Sequence, residues 1–143
     1  MDFRLAGYPD ANTIIQFDPI AGADRSRTNL IHQKIASRNC HVAVVDGQVV
    51  AYGVLDYTFF DHGFIRLLYV DPQFRRRGIG CSLMQHLEEQ CTTSKLFTTT
   101  NQSNDAMKAL LAKLEYKKSG RIENISDGDP EIVFFLKPKQ LRR

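Results

Sequence analysis

With 143 residues, 43% of them hydrophobic and 24% charged, the chain has enough material for one ordinary domain with a real core, and its composition excludes disorder. No stretch reaches the roughly 18 apolar residues of a membrane span, and Met1-Asp2-Phe3-Arg4-Leu5 lacks the basic-then-apolar layout of a signal peptide, so a cytoplasmic location is expected. The formal charge of +3 is too mild to argue for nucleic acid, while three cysteines without a CxxC pair and four scattered histidines without HExxH spacing argue against a disulfide framework and a metal site.

Phe3 to Ala6 reads as a first strand, followed by a turn at Gly7-Tyr8-Pro9-Asp10 with Asp10 as a helix N-cap. A short helix is expected over Ala11 to Phe17, then a loop over Asp18 to Ala23, which contains Pro19 and Gly22. Arg25 to Arg38 reads as a helix with Leu30, Ile31 and Ile35 on its apolar face. His41 to Val45 and Gln48 to Tyr57 are strands joined by Asp46-Gly47, a strong hairpin signal. A second turn at Asp61-His62-Gly63 leads to a strand over Phe64 to Val70, completing a three-strand meander.

From Gly78 to Cys91 the spacing of Ile79, Leu83, Leu87 and Cys91 predicts a helix with one core-facing stripe. A strand over Lys95 to Thr100, a helix over Asn104 to Leu114 and two strands over Tyr116 to Ile122 and Glu131 to Lys137 complete the chain; Arg142-Arg143 reads as a solvated tail. No repeat or linker divides the sequence, so residues 1–143 are expected to form a single α/β domain. The strand–helix–strand unit from Val70 to Thr100 requires its two strands to run parallel.

The chemistry concentrates in Leu68-Tyr69-Val70-Asp71-Pro72-Gln73-Phe74-Arg75-Arg76-Arg77-Gly78-Ile79-Gly80, which passes from a strand through a basic loop into a helix. A helix start offers unpaired N–H groups and a partial positive charge. Glycine lets a ligand approach the backbone, and arginine adds full charge; together these suit a pyrophosphate. A P-loop would need Lys-Ser/Thr after its second glycine, and a dinucleotide fingerprint would need a third glycine where Leu83 stands. The arginines could alternatively be solvated beside glycines that merely permit close packing.

The pattern Arg75-x-x-Gly78-x-Gly80, after a strand ending Leu-x-Val and a loop containing Pro, resembles motif A of the GNAT (Gcn5-related N-acetyltransferase) superfamily. Asn104, Ala109-Leu110 and Leu114-x-Tyr116 resemble its second motif. The resemblance covers most of the chain. It implies a mixed, mostly antiparallel sheet with a central parallel strand pair, flanked by helices. It also implies acetyl-CoA as co-substrate, without a metal. Backbone N–H groups from Arg75 or Arg76 through Arg77, Gly78, Ile79, Gly80 and Cys81 would then grip the pyrophosphate. The main chain of Leu68, Tyr69 and Val70 would pair with the pantetheine arm, and the Val70 N–H would stabilise the oxyanion. Asn104 would contact the pantetheine. Homodimers are common in such folds.

Two departures bear on catalysis. The family often places a tyrosine acid where this chain has Leu111, and a glycine where it has Glu115. Asp61 and His62 are candidate bases, with a simple turn pair as the alternative, and Tyr57 and Tyr69 are aromatic candidates for the acid. The turn Asp127-Gly128-Asp129-Pro130-Glu131, after Glu123, offers an acidic rim for a cationic amine, and Phe60 an apolar wall beside Phe59 and Phe64. The acceptor is therefore expected to be a small-molecule or peptide amine. A non-catalytic acyl-CoA-binding module is the alternative.

Overall fold

The computed structural model describes residues 1–139; Arg142 and Arg143 lie outside them. Seven strands form one sheet in the order β1-β2-β3-β4-β5-β7-β6. They are β1 Asp2–Leu5, β2 Cys40–Val45, β3 Gln48–Phe59, β4 His62–Val70, β5 Leu96–Asn101, β6 Lys117–Ile122 and β7 Glu131–Leu136. The helices are α1 Asp10–Phe17, α2 Pro19–Ala23, α3 Arg25–Ala36, α4 Ile79–Gln90 and α5 Asp105–Lys113. β4 and β5 run parallel, paired at Gly63–Leu96, Phe64–Phe97 and Ile65–Thr98. The pairs β1–β2, β2–β3, β5–β7 and β6–β7 are antiparallel. The mixed, mostly antiparallel sheet expected from the sequence is the one observed.

The chain forms two compact units, Met1–Leu55 with Leu67–Leu87, and Asp56–Arg66 with the chain from Glu88 onward. In the first unit, Ile14, Ile31, Val42, Tyr52 and Val54 are wholly buried. β3 is buried without interruption from Val49 to Leu55, as a strand covered on both faces must be. Gly53 lets α4 pack closely on β3: a Cβ there would stand 2.8 Å from Leu87 Cδ1. The hairpin turn Asp46-Gly47 has positive φ at both residues, 49° and 77°, which matches the twist of its strands.

The loop expected over Asp18 to Ala23 is instead the short helix α2. Pro19 occupies its first turn, where a missing N–H costs nothing, and the Asp18 carboxylate caps the N–H groups of Ile20 and Ala21. Asp18 is fully buried, and it also accepts from Arg27 at 3.0 Å and from the Tyr52 hydroxyl at 2.5 Å. Burial, together with that carboxylate, pushes the Tyr52 hydroxyl well above its usual range. Asp10 is the first residue of α1, not its cap; its carboxylate accepts from Gly7 N–H and from Arg4.

In the second unit, Phe59, Phe64, Phe97 and Phe135 form a run of ring contacts at centroid distances of 5.0–6.0 Å. The turn expected at Asp61-His62-Gly63 sits one residue earlier. Phe60 and Asp61 both take positive φ, 53° and 66°, so His62 and Gly63 already belong to β4. β6 is exposed along its whole length and carries Lys117, Lys118 and Arg121, charges that discourage edge-to-edge pairing. At the end of α5, Tyr116 N–H bonds Leu111 O and Glu115 N–H bonds Ala112 O, a Schellman closure that needs a left-handed residue. Glu115 supplies it at φ 67°, in the place the sequence comparison assigned to glycine.

Candidate active site

The end of β4 is shaped by one hydrogen bond. Asp71 N–H donates to Val50 O at 2.8 Å. Across the planar peptide the Val70 carbonyl must point the opposite way, and in an extended residue the N–H lies on the same side as its own carbonyl. The Val70 N–H is therefore directed away from β3. Its pairs with β5 stop at Ile65, five residues before the end of β4.

After Val70 the chain turns through a 3-10 segment, Pro72–Phe74, capped by the buried Asp71 carboxylate on Gln73 N–H at 3.0 Å. Arg76 and Gly78 then take left-handed backbone at φ 64° and 76°. Nothing lies within 4 Å of where a Gly78 Cβ would stand, so the space over this residue is open. Gly78 O accepts from Ser82 N–H at 3.0 Å, and the N–H groups of Ile79, Gly80 and Cys81 precede that ladder. The first turn of α4 carries no acidic residue. These donors, the open approach and the helix dipole fit a pyrophosphate.

Arg75, Arg76 and Arg77 are exposed, but two of them are held. The Arg75 guanidinium lies 5.1 Å from the Tyr69 ring centroid and its Nε donates to Val70 O at 3.3 Å; the Arg77 guanidinium lies 5.0 Å from the Phe74 ring. A cavity of about 380 Å³ opens on the same unit, lined by Thr13, Gln16, Phe17, Gln48, Asp71 and Gln73 among others. Its glutamines leave no local pattern, because they come from α1, β3 and the loop and meet only in the fold.

The profile described as the acetyltransferase (GNAT) family matches residues 10–116. The chain belongs to the GNAT acetyltransferase family. A GNAT acetyltransferase of Bacillus cereus is 32% identical, with 95% of this chain and 96% of that one covered at a TM-score of 0.88. The ribosomal-protein-S18-alanine N-acetyltransferase of Escherichia coli shares the fold at 18% identity, 96% and 93% coverage and a TM-score of 0.80. An acetyltransferase of Salmonella typhimurium, solved with its cofactor acetyl-CoA, does so at 17% identity, 97% and 94% coverage and a TM-score of 0.77. No curated protein sequence matches the chain. GNAT proteins use acetyl-CoA, and the Val70–Cys81 segment has the donors to hold it. Among the described residues no group of His, Cys, Asp or Glu could hold a metal ion, and no helix is long and apolar enough to cross a membrane.

The remaining candidate residues lie in the second unit. Asp61 is exposed in its turn, and the His62 ring packs 5.6 Å from Phe97. Phe60 is 82% exposed and rests edge-on against Phe59. Asn104 caps α5 by accepting from Met107 N–H at 3.0 Å. Asp129 accepts from the Ser103 N–H and hydroxyl at 3.0 and 2.6 Å, and Glu131 from Thr99 Oγ1 at 2.9 Å. Asp127 is exposed. The acidic rim is thus in large part a hydrogen-bonded loop. Tyr57 is structural: its hydroxyl accepts from Thr92 N–H and donates to Gln90 O. Leu111 is fully buried, so the helix position compared with a tyrosine acid belongs to the core.

A pair that sequence reading missed joins the loop's helix to β2. His41 Nδ1 and His86 Nε2 are 3.1 Å apart, with His86 stacked on Phe3 at 4.9 Å. Burial, then the neighbouring His86, pushes His41 down to about 4. The two residues lie on β2 and α4, 45 positions apart, with no local pattern to link them.

Proposed function

We propose that the protein is an N-acetyltransferase that moves the acetyl group of acetyl-CoA to a primary amine of a small molecule or peptide, by direct attack in a ternary complex. The observation that carries this reading is the end of β4, where the Val70 N–H faces away from β3 just ahead of an open, cationic helix start. Bound there, acetyl-CoA would supply an activated acetyl carbonyl and a thiol leaving group. The N–H groups of Ile79, Gly80 and Cys81, with Arg75 to Arg77, would hold the pyrophosphate. The main chain of Leu68 to Val70 would align the pantetheine arm, and the Val70 N–H would donate to the carbonyl oxygen as it gains charge. The amine nitrogen forms the new C–N bond as the C–S bond breaks, and its proton passes to a base or to water. Asp61 and His62 are the candidate bases, and Asp127 is an exposed acidic group placed to meet a cationic acceptor.

Calorimetric titration of acetyl-CoA tests the site. Wild type should bind tightly, and Arg75→Glu/Gly80→Asp should not bind measurably. Thiol release against a panel of amines and peptides from pH 6 to 9 tests the reaction; the rate should rise with pH because only the neutral amine attacks. No thiol release with any acceptor, despite tight binding, would favour the second reading, a non-catalytic acyl-CoA-binding module. The buried Leu111 supports that alternative, since it removes one family position for an acid. A positioned acid contributes about 10²–10⁴-fold, and a thiol with a pKa near ~8.5 can leave with help from water.

A further inference from the structure

We propose that Tyr69 is a positioning residue whose ring holds Arg75 ready for the pyrophosphate of acetyl-CoA. The proposal rests on the reading that the loop binds that cofactor. Arg75 makes two contacts with the end of β4, the Tyr69 ring at 5.1 Å and Val70 O at 3.3 Å. Because Val70 O points away from β3, its bond to Nε puts Arg75 at the same strand edge as the Val70 N–H. The Nε–H is then used, and the four Nη–H donors of this exposed side chain have no partner among the described residues. Those are the donors that bind phosphate oxygens in pairs.

The ring itself is fixed from behind. Tyr69 stacks on Phe17 with centroids 6.3 Å apart and planes within 12°, and Phe17 packs on Tyr52 at 6.3 Å. Tyr52 is pinned by the buried Asp18 and by Arg27. An arginine freely rotating in a loop loses side-chain freedom when it binds, whereas one already resting on a fixed ring loses less. The hydroxyl of Tyr69 takes no part in this, so phenylalanine should serve as well.

The test is a double-mutant cycle read by acetyl-CoA titration, with thermal melting to confirm folding. Arg75→Ala should raise Kd at least 10-fold. Tyr69→Leu should raise it about 2- to 5-fold, Tyr69→Phe by less than 2-fold, and Tyr69→Leu/Arg75→Ala should be no worse than Arg75→Ala alone. Where turnover is measurable, Tyr69→Leu should raise KM for acetyl-CoA and leave kcat unchanged. If Tyr69→Leu does not fold, Tyr69→Met replaces it in the cycle. Should Arg75→Ala weaken binding while Tyr69→Leu has no effect, or adds its full effect in the double variant, the proposal is overturned and the loop reading stands. Should Arg75→Ala leave Kd unchanged, the proposal is overturned while the main-chain loop reading stands; should the wild type itself not bind acetyl-CoA, the loop reading falls and the proposal with it.

Discussion

Two segments of this protein read as ligand sites in the sequence, the basic loop from Asp71 to Cys81 and the acidic turn from Glu123 to Glu131, and they differ in where their chemistry is held. The basic loop keeps its donors in the main chain and its cations on the surface. Its one carboxylate, Asp71, is spent on capping a turn, and the space over Gly78 is open. The acidic turn holds its chemistry in side chains, and most of these are already engaged: Asp129 with Ser103, Glu131 with Thr99. A group that looks available in a sequence is available in the fold only if no neighbour has claimed it. Main-chain donors at a helix start cannot be claimed by the helix itself, which makes them the safer inference.

The largest expected effect tests the basic loop at Gly78. Because nothing would touch its Cβ, only the left-handed backbone opposes a side chain there. Gly78→Val, which resists that backbone, should weaken acetyl-CoA binding at least 10-fold, while Gly78→Asn, which tolerates it, should stay within about 3-fold. Equal losses would mean that side-chain bulk and not backbone shape decides.

Acid should separate the two regions next. The basic loop leads into α4, which carries His86 against His41. His41 has its folded pKa near 4, below the ordinary 6.5, so the unfolded chain binds more protons between these values. Stability should be complete above about pH 6.5 and fall as pH drops toward 4. Melting temperatures across this window would show it, and His41→Gln should flatten that part of the profile.

A smaller contrast lies within the acidic turn. Asp129→Ala should cost about 1 kcal/mol of stability in urea denaturation through its lost bonds to Ser103. Asp127→Asn should leave stability unchanged and raise KM for a cationic acceptor. The reverse result would restore Asp129 as the group that meets the amine. Smallest of all, Glu115→Gly should stabilise the protein by about 1 kcal/mol, since glycine adopts the left-handed closure of α5 without a Cβ penalty. An unchanged denaturation midpoint would show that the Glu115 side chain offsets its strained backbone.

The repeating patterns were legible where they were local. The stripe Ile79, Leu83, Leu87 marks α4, and Asp46-Gly47 marks a hairpin, because period and turn chemistry are properties of adjacent residues. The strand–loop–helix around Gly78 was legible for the same reason. What failed was context-dependent. Pro19 and Gly22 suggested a loop, but Asp18 caps a helix there and is itself held by Arg27 and Tyr52 from other elements.

By itself the sequence determined the order of the strands and of the longer helices, and the parallel strand pair, all of which depend on period, chain connectivity and backbone chemistry. Only the tertiary structure decided which side chains remain available. It placed Arg75 on Tyr69, His41 beside His86 and Asp129 on Ser103, contacts that depend on distances between residues far apart in the chain and that leave no trace in local spacing.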